Sequence, residues 1–312
     1  MYIGIDLGGT NIAVGLVSEE GKIISSASTP TLAQRPYQEI VADMGRLSQK
    51  LIADAGYKTE QIKGIGIGSP GTVDNEHGIV TYSNNLPFAN TPLAAELNKY
   101  LDIPVNIEND ANAAAYGEYV ATGAKSDSFI FITLGTGVGG GIVLGGKIYR
   151  GFNCAGGELG HFTMIAGGEP CTCGNRGCWE SYASVTALIR QTEAAMKANP
   201  ESLMHKIAEE EGKISGRTAF RAEDLGDEAG RAVVDKYIEY VATGIASMVN
   251  IFQPETIVIG GGISKEGDRL LIPIKELVNK MDYNKYMPKT EIQIAKLYND
   301  AGIVGAALAA RK

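Results

Sequence analysis

Residues 5–17 read IDLGGTNIAVGLV, and residues 132–144 read ITLGTGVGGGIVL. Each stretch is a β-rich run, a turn of glycine and threonine, and a second β-rich run. Each is followed by the tripeptide Gly-Lys-Ile, at residues 21–23 and 146–148, which turns the chain into a third run. The likeness reads as an internal duplication, with two unrelated hairpins as the alternative. A duplicated α/β unit builds two lobes facing each other across a cleft, a common place for a ligand site.

The rest of the chain fits an α/β fold. Apolar residues at Ile40, Met44, Leu47 and Leu51 have helical spacing and predict a helix over 36–56, ended by Gly56. Residues 62–68 are an apolar run of strand length. A helix is expected at 92–101, a strand at 105–108 and an Ala-rich helix at 111–122. Further helices are expected near 180–198, 226–252 and 270–281, with strands at 256–259 and 291–295. A closing helix is expected at 301–311. The lobes are expected to be 1–117 and 118–299, with residues 300–312 returning to the first.

Composition narrows the function. Forty of the 312 residues are glycine, against roughly 7% in an average chain. They cluster in short runs, the mark of tight turns or of backbone brought close to a ligand. The charge is -8, which argues against sequence-independent nucleic-acid binding. No apolar run is long enough to span a bilayer, and the N-terminus lacks a basic region before an apolar one. Membrane partners and a signal peptide are therefore not expected, and a cytoplasmic location is.

Five constellations carry chemistry. In the first, Asp6 ends a strand ahead of Gly8, Gly9, Thr10 and Asn11. Backbone N–H groups of such a turn approach phosphate oxygens, and Thr10 adds a hydroxyl. Asp6 suits Mg²⁺, held directly or through water. A plain hairpin is the alternative. The spacing fits neither the dinucleotide fingerprint nor the lysine-containing phosphate loop. In the second, Thr133, Gly135, Thr136 and Gly137 repeat this pattern. In the third, Gly261 and Gly262 follow a strand, either to let a ring or ribose lie on backbone or as a tight connection. In the fourth, Asn109 and Asp110 stand where a strand meets a helix. Asp110 is either the helix cap or a general base, with Asn109 as a substrate hydrogen-bond donor.

The fifth is His161 with Cys171, Cys173 and Cys178. One imidazole and three thiolates within eighteen positions make a closed tetrahedral zinc site, structural rather than hydrolytic. Glu158 and Glu180 flank it as a wall suited to sugar hydroxyls. Cys154 is left over and reads as a small buried residue.

Taken together, DLGGTN at 6–11, ENDANAAAYGE at 108–118, LGTGVGGGIV at 134–143, GELGH at 157–161 and CTCGNRGCWE at 171–180 resemble the ROK family of sugar kinases and repressors. Within it, the chain looks most like the bacterial glucokinases. The resemblance runs over essentially the whole chain. It implies an actin-like ATPase fold, a ribonuclease H-like unit duplicated, with ATP between two lobes. It implies phosphorylation of a hexose 6-hydroxyl, glucose in the first place, with Asp110 as the base. Asn109, Glu158, His161 and Glu180 would hold the sugar, with Gly71 and Asn85 lining its pocket. Asp6, Gly9, Thr10, Thr133, Gly135, Thr136 and Gly261 match the nucleotide contacts, and His161, Cys171, Cys173 and Cys178 the zinc ligands. Family kinases usually form homodimers. N-acetylmannosamine, fructose or allose is the alternative acceptor. A non-catalytic sugar sensor is the alternative class, but the helix-turn-helix of family repressors is not expected ahead of Asp6.

Overall fold

The computed structural model describes residues 1–311. In chain order, β1 (Tyr2–Leu7), β2 (Asn11–Val17), β3 (Ile23–Pro30), α1 (Tyr37–Asp54) and β4 (Gly64–Ser69) come first. Then follow β5 (Thr72–Asp74), β6 (Ile79–Tyr82), β7 (Ala89–Thr91), α2 (Leu93–Asn98), β8 (Val105–Asn109) and α3 (Asp110–Ala121). The chain continues with β9 (Ser128–Leu134), β10 (Val138–Leu144), β11 (Lys147–Ile148), α4 (Glu180–Ala183), α5 (Val185–Ala198), α6 (Met204–Glu211) and α7 (Thr218–Asp224). It closes with α8 (Glu228–Phe252), β12 (Thr256–Gly260), α9 (Asp268–Met281), β13 (Glu291–Ile294) and α10 (Ala301–Ala309). No helix among the described residues is long and apolar enough to cross a membrane.

The first sheet has the order β3-β2-β1-β4-β8, and the second the order β11-β10-β9-β12-β13. The two orders are the same pattern: a folded-back run of three strands, then two later strands added beside the first. In the first sheet β1 pairs antiparallel with β2 and parallel with β4, and β4 pairs parallel with β8. A small sheet, β5-β6-β7, stands apart.

Two compact units result. Unit 1 is Met1–Phe131, Gly141–Gly157 and Lys296–Lys312; unit 2 is Ile132–Gly140 and Glu158–Ala295. Two of the boundaries fall inside β9 and β10.

In unit 1, glycine at alternate positions decides how the sheet packs. Gly4 of β1 stands opposite Gly66 of β4, so one face of the sheet is bare there. α10 lies directly on it. A Cβ at Gly4 would strike the Ile303 carbonyl, and one at Gly66 the Ala306 carbonyl. α10 presents glycine in return: Gly305 meets the Ala113 carbonyl of α3. The opposite face carries Ile3, Ile5, Leu7, Ile65 and Ile67, buried in one core with Ile40, Met44 and Leu51 of α1. Alternation of glycine and isoleucine thus gives one strand pair two packing distances, backbone-close on one face and side-chain-thick on the other.

In unit 2 the Trp179 ring is fully buried against Gly244 of α8, and its Nε1 donates to the Tyr240 carbonyl at 2.9 Å. Tyr237, also of α8, donates to the Ala183 carbonyl at 2.9 Å. The helix expected over 180–198 is in fact two, because Ser184 breaks it and caps α5, accepting from the Ala187 N–H at 3.0 Å. α6, α7 and the small sheet are elements the sequence did not announce, and α2 is four residues shorter than the helix expected at 92–101. Cys154 is half-buried with a left-handed backbone, φ 60°, not the buried packing residue expected.

The glycine face gives a direct test. Gly66→Ala places a methyl on the Ala306 carbonyl, and overpacking of this kind costs about 1–3 kcal/mol. Urea unfolding should show a loss of that size at unchanged m-value. A variant as stable as the parent would contradict the close α10 contact.

Candidate functional site

In unit 1 the parallel strands β1, β4 and β8 end at one edge, where open α/β sheets bind ligands. Asp6 is paired with Gly68, and Gly68 in turn with Glu108. Asp6 and the β8 end are therefore two strands apart, with a residue lacking a side chain between them. A Cβ at Gly68 would sit 3.5 Å from the Asp110 Cα, so its absence opens the space between the two aspartates. On the other side, the Asp6 carboxyl lies 2.6 Å from where a Gly302 Cβ would stand at the start of α10. Burial, and then the charge of Asp110, push the Asp6 carboxyl from its ordinary 3.8 up to about 6.

The β1–β2 turn is closed by the Gly8 N–H on the Asn11 carbonyl at 2.9 Å. Thr31 braces it from β3's end: its Oγ1 donates to the Gly8 carbonyl at 2.6 Å, and its N–H to the Thr10 carbonyl at 2.8 Å. Thr31 was not foreseen; a lone threonine twenty-three residues away gives no local signal. Thr10 and Asn11 are exposed, while Gly8 and Gly9 are half-buried.

The β8–α3 junction corrects one of the two roles left open for Asp110. Asn109, not Asp110, caps α3: its Oδ1 accepts from the Ala111 and Asn112 N–H groups at 3.0 and 3.1 Å. Asp110 is the first residue of the helix, and its Oδ1 shares the Ala111 N–H at 2.8 Å. Asn109 also spends one amide proton on the Gly71 carbonyl at 3.1 Å. Gly71 holds φ at 100°, and a Cβ there would strike the Tyr82 carbonyl, so only glycine fits. Asn85 is exposed, and its Cβ would lie 3.4 Å from a Gly9 Cβ. Asp6, Gly9, Gly71, Asn85, Asn109 and Asp110 thus belong to one neighbourhood of unit 1.

Unit 2 assembles a second neighbourhood. After Thr133 and Leu134, the turn closes with the Gly135 N–H on the Gly137 carbonyl at 3.0 Å. α5 steadies it: the Val185 N–H donates to the Gly135 carbonyl at 2.8 Å, and Thr186 Oγ1 to the Thr136 carbonyl at 2.7 Å. Gly261, φ 85°, packs against the Leu134 backbone, which puts Gly261 beside this turn, with Gly262 next in the chain. Glu180 Oε2 accepts from the Val138 N–H at 2.9 Å, and its Oε1 lies 3.7 Å from Cys171 Sγ. Glu158 is exposed and starts a single 3₁₀ turn, Leu159–His161. Gly160 of that turn packs on the Val138 carbonyl.

The ligand atoms of His161, Cys171, Cys173 and Cys178 all lie within 4.8 Å of one another. Cys171 Sγ is 3.6 Å from His161 Nδ1, and Cys173 Sγ is 3.6 Å from Cys178 Sγ. A tetrahedron with zinc-length arms of about 2.3 Å to sulfur and 2.1 Å to nitrogen has edges of about 3.6–3.8 Å. Two of the six edges therefore have the length a tetrahedral metal sets, and no other exceeds it by more than about 1 Å. Burial and the neighbouring sulfurs push the Cys178 thiol up to about 12, so a metal must displace its proton.

Comparison with known proteins bears on what these two neighbourhoods do. The model of the ROK family matches residues 2–312. A glucokinase of Thermotoga maritima is 38% identical over 307 residues, covering 98% of this chain and 95% of the relative. A glucokinase of Halalkalibacterium halodurans is 36% identical, covering 97% and 93%. Among solved structures, a ROK family glucokinase from Streptomyces griseus in complex with glucose and AMPPNP superposes with a TM-score of 0.83. It is 34% identical and covers 99% of both chains.

The Asp6 carboxyl supplies a pH test. Its folded value lies above its unfolded one, so the folded chain holds this proton more tightly. The stability it contributes is full below about pH 4 and lost as pH rises through about 6. Without divalent cations, Asp6→Asn should therefore be more stable than the parent at about pH 7 and should flatten the slope between. Thermal unfolding at both pH values checks this. An Asp6→Asn protein less stable than the parent at neutral pH would contradict the assignment.

Proposed function

This chain belongs to the ROK family and has the actin-like ATPase fold, and from that premise we propose that it transfers the γ-phosphoryl group of ATP to the 6-hydroxyl of glucose. The observation that carries the proposal is Asp110, held at the capped start of α3 beside Asp6 and the Gly8-Gly9 turn. A kinase needs one carboxylate at the acceptor hydroxyl and backbone donors at the phosphates, and unit 1 supplies both. The similarity to glucokinases across nearly the whole chain supports glucose as the acceptor.

The proposed chemistry is positioning and charge control. The sugar 6-oxygen attacks the γ-phosphorus as Asp110 accepts the hydroxyl proton. The bond from that phosphorus to the β,γ-bridging oxygen breaks, and ADP leaves with the electron pair. The turns Gly8–Thr10 and Thr133–Gly137 donate N–H and hydroxyl hydrogen bonds to the phosphates, and Gly261 and Gly262 receive the ribose side. Mg²⁺, held by Asp6 directly or through water, would neutralise the phosphate charge that Asp6 and Asp110 otherwise repel. Asn109, with its remaining amide proton, and Glu158, His161 and Glu180 hold the sugar hydroxyls. Zinc fits the His161 cluster on ligand chemistry and on the two edges of 3.6 Å, and its role would be structural. With the metal on Nδ1, the His161 proton sits on Nε2 and donates to a hydroxyl.

Two variants test these roles. Asp110→Asn removes the base and keeps the shape. Turnover in a coupled ADP-release assay should fall by at least about 10²-fold, with glucose affinity by calorimetry nearly unchanged. Turnover near the parent's would reject the role. Cys173→Ser should lose a stoichiometric zinc, lower the thermal midpoint and weaken glucose binding together. Parent protein found metal-free by elemental analysis after purification without chelators would reject the zinc site.

A further inference from the structure

Beside Asn109 and Asp110 lies a carboxylate that the proposed chemistry leaves unused. Glu108, the next residue back in β8, is only 1% exposed. Its Oε1 accepts from the Asn109 N–H at 3.0 Å and from Asn112 Nδ2 at 3.2 Å. Its Oε2 accepts from Arg150 Nε at 2.8 Å, Arg150 Nη2 at 2.5 Å and Asn75 Nδ2 at 3.3 Å. Asn75 reaches the same strand again through the Ile107 carbonyl.

The arrangement does more than neutralise a buried charge. Two nitrogens of one planar guanidinium hold Oε2, and separate donors hold Oε1, so the carboxylate is fixed in orientation from both ends. That carboxylate then grips the backbone of Asn109 and the side chain of Asn112, the residues on either side of Asp110. Arg150 also begins the loop 151–157, which is closed by the Gly156 N–H on the Arg150 carbonyl at 2.9 Å.

We propose that Glu108 and Arg150 are positioning residues for phosphoryl transfer: the pair locks the β8–α3 junction so that the Asp110 carboxylate keeps its aim at the acceptor hydroxyl. The proposal rests on the kinase reading above. A displacement of about 1 Å at a reacting group costs up to about 10²-fold in rate. The loss falls on kcat and not on the KM for MgATP, because aim is lost while nucleotide-binding groups remain.

The test compares the full-length parent with Arg150→Ala, Arg150→Lys and Glu108→Gln, by coupled ADP release with glucose and MgATP. Circular dichroism monitors folding at the assay temperature. Each variant should lose about 10- to 100-fold in kcat, Arg150→Lys least, with the KM for MgATP within about threefold. Guanidinium chloride at millimolar concentration should restore part of the Arg150→Ala rate, and sodium chloride at equal ionic strength should not. Three results would overturn the proposal: a folded Arg150→Ala at the parent's kcat, a loss confined to KM, or a guanidinium response no larger than that to sodium chloride. A parent that turns over while the variants match it defeats the positioning role alone. A parent inactive on every hexose defeats the kinase reading and this proposal with it.

Discussion

Two aspartates share one end of the parallel strands β1, β4 and β8, and the burial of Asp6, to which the charge of Asp110 adds, is the constraint around which this edge of unit 1 is built. Asp6 is next to last in β1 and Asp110 opens α3, with Gly68 between them. Like charges this close resist ionising together. Water does not relieve them freely, since α10 covers Asp6 through Gly302. The bare glycine face of β1 and β4 brings α10 that near, so sheet packing and site electrostatics have one cause. Asp110 has some relief from the N-terminal end of the α3 dipole. In the proposed reaction the nucleotide brings a cation to this edge.

Unit 2 solves a different problem, the ordering of a loop-rich segment. Between β11 and α4 the chain has little regular structure: a single 3₁₀ turn and two isolated bridges. One imidazole and three thiols converge there, their ligand atoms within 4.8 Å of one another. Glu180 joins that cluster to the glycine turn by accepting the Val138 N–H next to Gly137. A carboxylate proposed to hold a sugar hydroxyl is therefore already part of the frame of a proposed phosphate cradle. The sugar and phosphate contacts proposed for this unit are thereby tied together.

Much of this was legible in the sequence because its signals are local. The two glycine–threonine turns announced themselves within a dozen residues each, and the strand order repeats as their likeness implied. The His/Cys cluster was legible from spacing alone, since its four residues fall within eighteen positions. What escaped was carried by distance or by a one-residue shift. Arg150 meets Glu108 across 42 residues, and Thr31 meets Gly8 across 23; no periodicity encodes either. At the start of α3, aspartate and asparagine are equally good caps, and only the backbone shows that Asn109 takes the part. The short helices α6 and α7 went unseen because one or two turns carry too little apolar repeat to stand out.

Carboxyl-carbon NMR across a pH titration measures the constraint at its source. In the protein free of divalent ions, the account predicts an Asp6 carboxyl titrating near 6, moving down when Mg²⁺ and ADP are added and down again when Asp110 is replaced by asparagine. An Asp6 carboxyl titrating near 3.8 in the free protein, indifferent to Mg²⁺ and to Asp110, would contradict the paired-aspartate site and the function built on it.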